Sequence, residues 1–338
     1  MNSRETLLHN WLKGVLLNRP YQLTPLAGDA SFRRYYRLQN SELGSRIVMD
    51  APPVKETLDP FIKIAALLRT QGLTTPAIEA IDKACGFLLL EDFGDHLLLS
   101  ILNEQNADHL YSLAMDKLLL LQQCSVSKMQ ELPCFNRDFI LSELQVFQKW
   151  FLHHYLKLEL TPSEQNMIQH SLMWLANEVS QQSTVLIHRD YHSRNLMWLD
   201  SSPQDLGIID FQDAMQGPLT YDLVSLLKDC YIQWPRDRVL NWVRYFYDRS
   251  PLAQQNDFEH FYQAFELCGL QRHLKVLGVF SRLCLRDNKD NYLKDLPLTL
   301  HYTLATLEGY SELASFYQFM LQKVQLHENS NDFSSRSR

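Results

Sequence analysis

The chain has 338 residues, 46% of them hydrophobic and 21% charged, with 32 Lys and Arg against 39 Asp and Glu. That length allows two domains or one large bilobed one, while only 11 glycines and 13 prolines argue against collagen-like repeats and long disordered tracts. A net charge of −7 points away from a nucleic-acid coat and from polybasic membrane binding, so neither nucleic acid nor membrane is an expected partner.

The first eighteen residues carry Arg4, Glu5 and Lys13 inside an apolar pattern of Leu7, Leu8, Trp11, Leu12, Val15 and Leu16. That is the spacing of an amphipathic helix rather than of a secretory leader. No run reaches the ~18 apolar residues of a membrane span. Gln22–Leu26 and Arg33–Leu38 read as strands joined by Ala27-Gly28-Asp29-Ala30-Ser31, and a third strand, Arg46–Asp50, ends at Pro52-Pro53. A helix follows, with Thr57 and Asp59 as cap candidates and Pro60 in its first turn; its core face is Phe61, Ile64, Ala65 and Leu68, and it stops at Gly72. Ile78–Ile81 and Phe87–Leu90 are short strands, and Glu91-Asp92-Phe93-Gly94-Asp95 leads out of the second.

From Leu97 to Ser180 the pattern is helical, with segments at Asp108–Cys124, Asp138–Leu156 and Pro162–Gln181. Three strand-like pieces interrupt it, Val185–His188, Leu196–Leu199 and Leu206–Phe211, before helical pattern resumes at Thr220–Asp229 and dominates to Val324. The polar, serine-rich stretch 327–338 is expected to be disordered. Six scattered cysteines (Cys85, Cys124, Cys134, Cys230, Cys268 and Cys284) form no CxxC pair, which argues for buried thiols in a reducing compartment and hence a cytoplasmic protein. The expected class is α+β: a small antiparallel-sheet N-lobe over 1–96, a hinge near residue 91, a larger helical C-lobe over 97–326, and a cleft between them.

The three strand-like pieces hold the densest chemistry. VLIHRDYHSRNLMWLD contains His188-x-Asp190-x4-Asn195, and the strand Leu206–Ile209 delivers Asp210. Phosphoryl transfer needs one carboxylate to orient the attacking hydroxyl and accept its proton, while an amide oxygen and a second carboxylate hold Mg²⁺ on the phosphates. Oxygen ligands suit so hard an ion.

These residues resemble the catalytic and metal-binding loops of the protein-kinase-like superfamily and, within it, the aminoglycoside phosphotransferase family. The element order matches over nearly the whole chain. The resemblance implies an ATP- and Mg²⁺-dependent kinase with Asp190 as catalytic base, Asn195 and Asp210 on the metal, and His188 as a structural residue of the loop. GDASFRRYYRL, VMDAPP, LLEDFGD, HRDYHSRN, DFQDAMQGPLTYDLVSLLKDCY and QRHLKVLGVFSRL narrow it to the bacterial anomeric kinases of N-acetylmuramate and N-acetylglucosamine. Those enzymes phosphorylate the C1 hydroxyl of the free amino sugar in cell-wall recycling. The alternatives are a kinase for another small alcohol (a different sugar, choline, an aminoglycoside) and a silent pseudokinase.

On the nucleotide side, Gly28, Asp29, Ala30 and Ser31 are expected to cover the phosphates. Strand alternation puts Arg33 on one face and Arg34 on the other, with Arg33 favoured as phosphate-facing. The backbone at Glu91 and Phe93 is expected to read adenine. The superfamily's strand lysine is missing from Ile47-Val48-Met49-Asp50, and the following helix has Lys63 but no glutamate. Either Asp50 and Lys63 form a charge-swapped pair, or Lys63 is an exposed helix lysine unrelated to Asp50; Arg33 is the other candidate to replace the missing lysine. On the acceptor side, Arg194 either steadies the transferring phosphoryl group or ties into the helical lobe. His192 either serves the sugar or stabilises the loop, Asp213 either accepts from a sugar hydroxyl or supports the second metal position, and Asp222 is expected to cap its helix and tie down the metal loop. Arg272, Lys275, Arg282 and Arg286 share a helix face, either as a solvated surface or as partners for the lactyl carboxylate. A monomer acting on a small sugar is expected.

Overall fold

The computed structural model describes residues 3–26 and 32–325. The expected phosphate loop at Gly28–Ser31 and the 327–338 tail therefore lie outside the described residues. The chain forms two compact units.

The first unit runs to Ile101 and takes in Arg194–Asp213. It begins with α1 (Ser3–Val15), then β1 (Gln22–Pro25), β2 (Arg34–Asn40), β3 (Gly44–Asp50), α2 (Asp59–Thr70), β4 (Ile78–Asp82), β5 (Phe87–Glu91) and the short α3 (Leu98–Ile101). The strands make one antiparallel sheet in the order β1-β2-β3-β5-β4. Leu8, Leu12 and Leu16 of α1 bury with Leu38, Val48, Phe87 and Leu89 of the sheet, at about 1.5–3 kcal/mol for each large side chain. Helix α2 buries the face expected of it, Phe61, Ile64, Ala65 and Leu68. Its N-cap position is taken by Leu58, and the Thr57 hydroxyl instead accepts from the Asp59 N–H at 3.2 Å.

The second unit holds Leu102–Ser193 and the chain from Ala214 on. Its elements are α4 (Ala107–Gln122), α5 (Val126–Met129), α6 (Arg137–Val146), α7 (Pro162–Ser180) and β6 (Thr184–Ile187). The helix expected over Asp138–Leu156 changes character at Phe147 and runs to Tyr155 with π-helical bonding. Helix α7 starts on a capping box, with Thr161 and Glu164 satisfying each other's backbone N–H. Between the two stretches of this unit, in the first unit, lie β7 (Leu196–Trp198) and β8 (Leu206–Ile208), which form a hairpin. The second unit resumes with β9 (Met215–Pro218), α8 (Tyr221–Leu227), α9 (Arg236–Tyr247), the 30-residue α10 (Phe258–Asp287), α11 (Leu296–Leu307) and α12 (Ala314–Phe319).

Two features depart from the sequence-based expectation. Strand β9 was not anticipated, because MQGP has neither alternation nor β-branched residues; its partner β6 makes it a strand. Residues 194–213, expected with the helical C-lobe, cluster with the first unit. The Ile208 N–H donates to the Thr74 carbonyl at 2.8 Å and the Trp198 N–H to the His96 carbonyl at 2.8 Å. Gly207 is required there, since a Cβ would lie 2.5 Å from the Phe93 ring.

Candidate active site

In the second unit, β6 ends at Ile187 and the chain turns sharply through His188, Arg189 and Asp190. Arg189 has φ +77°, a left-handed conformation that costs a non-glycine residue about 1–3 kcal/mol. Asp222, fully buried in the first turn of α8, holds that turn from behind. Its Oδ2 accepts from the His188 N–H at 2.6 Å and its Oδ1 from the Arg189 N–H at 3.0 Å. The expectation that Asp222 ties down the metal loop is thus corrected: it anchors the His188–Asp190 turn. Burial pushes its carboxyl up to about 6 even against the pull of His188 and those two N–H groups.

Asp229, 2% exposed, grips the other end of the loop by accepting from the Ser193 N–H at 3.1 Å and from the Ser193 hydroxyl. The Tyr191 hydroxyl donates to the Ala114 carbonyl at 2.8 Å. His188 is buried; its Nδ1 accepts from the Asp190 N–H at 3.3 Å.

The loop so framed presents Asp190, whose side chain is 41% exposed. Burial of its surroundings pulls its pKa up, but Lys275, Arg272, His192 and Arg189 together hold it well below the usual carboxylate range. Arg272 lies 3.7 Å from the Asp190 carboxylate and donates to the Arg189 carbonyl at 3.0 Å. Lys275 and Arg189 reach Glu143 at 2.9 and 3.0 Å, and Gln271 completes that carboxylate at 3.0 Å. Arg272 and Lys275 are therefore buried parts of the loop's support rather than a solvated face. His192 stands edge-on to the Tyr231 ring at 5.4 Å, burial pulls its pKa down, and its Nδ1 has no hydrogen-bond partner among the described residues.

In the first unit, β8 leads into Asp210, whose φ of +60° is left-handed, a conformation that Asp tolerates better than most residues. Its Oδ1 accepts from Gln212 Nε2 at 2.9 Å, its Oδ2 lies 3.5 Å from Asn195 Nδ2, and Gln212 also reaches the exposed Asp213 at 3.3 Å. Asn195 and Asp210 thus converge with oxygen donors available. Among the described residues no group of three or more His, Cys, Asp or Glu is gathered for a metal. A cation here would have the few protein ligands that suit Mg²⁺, the rest coming from phosphate and water. The residues fit that ion. Arg194, next to Asn195, is half-buried.

Arg33 is 10% exposed and its Nε meets Glu56 at 2.7 Å, whereas Arg34 is exposed. Tyr35 hydrogen-bonds Arg33 beside Asp210, and burial pushes its phenol up to about 12. Asp50, 1% exposed, is held by Arg4 of α1 at 2.9 Å, so the charge on β3 is answered from α1, and Lys63 is exposed on α2. That corrects the charge-swapped pair and agrees with the other alternative, an exposed Lys63 unrelated to Asp50. At the end of β5, Glu91 is exposed and accepts from the Ala77 N–H at 3.1 Å, while beyond it Phe93 packs on Gly207. Arg37 pins the segment, reaching Asp92 at 2.7 Å and the Gly94 carbonyl at 3.1 Å.

Sequence reasoning missed Glu56, Glu143, Gln212 and Asp229. Glu56 sits in the β3–α2 connection, one helix-start short of where a glutamate was sought. Gln212 lies within IIDFQDA itself. Asp229 lies within DFQDAMQGPLTYDLVSLLKDCY, where nothing local tells its role, and Glu143 comes from an element far from the loop in sequence with no motif to mark it.

The model of the phosphotransferase enzyme family matches residues 22–254. An N-acetylmuramate/N-acetylglucosamine kinase of Pseudomonas aeruginosa is 40% identical over 306 residues, covering 89% of this chain and 88% of that protein. Another, of Neisseria meningitidis, is 36% identical over 328 residues, covering 95% and 96%. Among solved structures, the GDP complex of aminoglycoside 2′-phosphotransferase-IIIa superposes with a TM-score of 0.64 at 16% identity, covering 90% of this chain and 99% of that one.

Proposed function

Because the chain belongs to the phosphotransferase enzyme family, we propose that it transfers the γ-phosphoryl group of ATP to the anomeric C1 hydroxyl of N-acetylmuramate and N-acetylglucosamine, a step of cell-wall recycling. Its kinase-like α+β fold and its being a phosphotransferase follow from that membership. The amino sugar is the acceptor named for its relatives. The observation that carries the reading is Asp190, a solvent-reachable carboxylate kept ionised by a built set of cations on a loop fixed at both ends.

Asp190 accepts a hydrogen bond from the C1 hydroxyl, aligns it on the γ-phosphorus and takes its proton as the new P–O bond forms. A carboxylate of low proton affinity is adequate for a loose transition state, in which the hydroxyl proton leaves late. An anomeric hydroxyl, more acidic than an ordinary alcohol, suits it further. Asn195 and Asp210 would hold Mg²⁺, which when bound neutralises charge on the phosphates. Arg33, fixed by Glu56, takes the phosphate role of the missing strand lysine, Gly28, Asp29, Ala30 and Ser31 serve the phosphates, and Glu91 and Phe93 serve adenine. Arg194 steadies the transferring group, and His192 and Asp213 serve the acceptor. We place the enzyme in the cytoplasm as a monomer; its six thiols are in keeping with a reducing compartment, and among the described residues no helix is long and apolar enough to cross a membrane.

Purified protein with ATP and Mg²⁺, offered a panel of free sugars and amino alcohols, should form a glycosyl phosphate from both N-acetyl sugars, visible by phosphorus NMR. Transfer to choline or an aminoglycoside but to neither N-acetyl sugar would overturn the acceptor.

A further inference from the structure

Of the cations on α10, Arg286 pairs with its neighbour Asp287 at 2.7 Å and Arg282 is half-buried, whereas Arg272 and Lys275 turn to the Asp190 loop. Arg189 adds a cation from the loop itself. Such charges hold a base carboxylate ionised, yet an ion pair made directly on its oxygens competes with the acceptor hydroxyl for them. A second carboxylate, Glu143, meets that conflict.

Glu143 is 7% exposed on α6. Its Oε1 meets Lys275 Nζ at 2.9 Å and Arg189 Nη2 at 3.0 Å, and its Oε2 accepts from Gln271 Nε2 at 3.0 Å. Burial pushes the Glu143 carboxyl up, but Lys275 and Arg189 together hold it below its ordinary value. Arg189 is fixed independently, by Asp222 on its N–H and by the Phe139 ring 5.3 Å from its guanidinium. Lys275 otherwise donates to the neutral Tyr221 hydroxyl at 3.3 Å, so its place depends on Glu143. Arg272 stands 3.7 Å from the Asp190 carboxylate and is bonded to the Arg189 carbonyl. Asp190, at 41%, is the most exposed side chain of this set. It is faced by Lys275 and Arg272 from α10 and by His192 and Arg189 from its own loop; Lys275 is faced by Glu143 from α6, Tyr221 from α8, and Asp190 and Arg189.

We propose that Glu143 is a positioning residue for the transfer step: it draws Lys275 onto α6, so that the lysine's charge acts on Asp190 while the Asp190 oxygens face the acceptor hydroxyl. This rests on the reading of Asp190 as the base. Loss of Glu143 alone strands a buried ammonium, and a carboxylate left in its field is Asp190, to which Lys275 then turns. Loss of both partners strands neither.

The test is kcat and KM of the full chain with ATP and N-acetylglucosamine for Glu143→Gln, Lys275→Met and the double variant, each at a temperature where its melting curve shows it folded. Expected in Glu143→Gln is a kcat about tenfold or more below wild type, with little change in KM for ATP. In the double variant, where no lysine remains to occupy Asp190, most of that kcat returns, to within about twofold of Lys275→Met. In Lys275→Met, kcat should fall as pH is lowered through the ordinary carboxylate range while wild type stays level, because a cation that keeps Asp190 ionised is gone. An unchanged kcat in Glu143→Gln, or a double variant no faster than it, overturns the proposal. Where Glu143→Gln does not fold, the double variant decides: a further loss of about tenfold below Lys275→Met overturns it, since distant or independent effects simply add. Full activity in Asp190→Asn overturns the base reading and the proposal with it; an inactive Asp190→Asn beside additive losses overturns the proposal alone.

Discussion

Asp222→Asn isolates the anchor of the catalytic loop. The wild-type carboxylate accepts from two backbone N–H groups, those of His188 at 2.6 Å and Arg189 at 3.0 Å. An amide can accept only one; its NH2 then faces the other N–H, at a cost of about 1–3 kcal/mol for the unmet donor. Against this, the variant removes a buried charge whose pKa is raised from 3.8 to about 6. Because the folded-state value lies above the unfolded one, the folded protein takes up this proton first as pH falls. The ionised group therefore opposes folding above pH 6, and the opposition is relieved between pH 6 and pH 4. About two units at 1.36 kcal/mol each give roughly 3 kcal/mol. Urea unfolding of both proteins from pH 7 to pH 4 should show the wild type gaining about that much on the variant. At pH 7, kcat of Asp222→Asn should fall about tenfold or more, since a left-handed Arg189 loses one of the bonds that hold it. Unfolding curves that stay parallel across that range would refute the assignment of the titration. An unchanged kcat would refute the anchoring of Asp190 through this side chain.

Glu56→Gln removes the charge that fixes Arg33, a pair only 22% and 10% exposed. Nucleotide affinity measured by calorimetry should weaken about three- to thirtyfold, a loss on the order of 1–2 kcal/mol, with little change in KM for the sugar. A change confined to the sugar would contradict the nucleotide role. Gly207→Ala drives a methyl to 2.5 Å from the Phe93 ring; overpacking of this kind costs about 1–3 kcal/mol and should lower the melting temperature and raise KM for ATP. A variant as stable as wild type would show that the Phe93 segment moves aside freely.

The parts of this protein that were legible in its sequence are those where one local signal decides the outcome. The α2 face at Phe61, Ile64, Ala65 and Leu68 follows from helical spacing alone. The His188, Asp190, Asn195 and Asp210 set stands out because polar residues at fixed spacing interrupt buried strands. What could not be read is the set of long-range partners. Arg272 and Lys275 look like a surface stripe when α10 is taken by itself; the Arg189 carbonyl and Asp190 beside Arg272, and Glu143 beside Lys275, make them part of the interior. Asp222 looks like a helix cap, which is what its position in α8 allows, until the turn after β6 places two backbone N–H groups over it. Strand β9 has no strand pattern of its own, and only pairing with β6 creates it.

The most direct test of the account is phosphoryl transfer from ATP to N-acetylglucosamine by the wild type and by Asp190→Asn, with the product identified as the sugar 1-phosphate. The account predicts that compound from the wild type and a loss in kcat of about a hundredfold or more in the variant, with nucleotide binding retained. Full activity in Asp190→Asn, or a phosphate found on any hydroxyl other than C1, would contradict it.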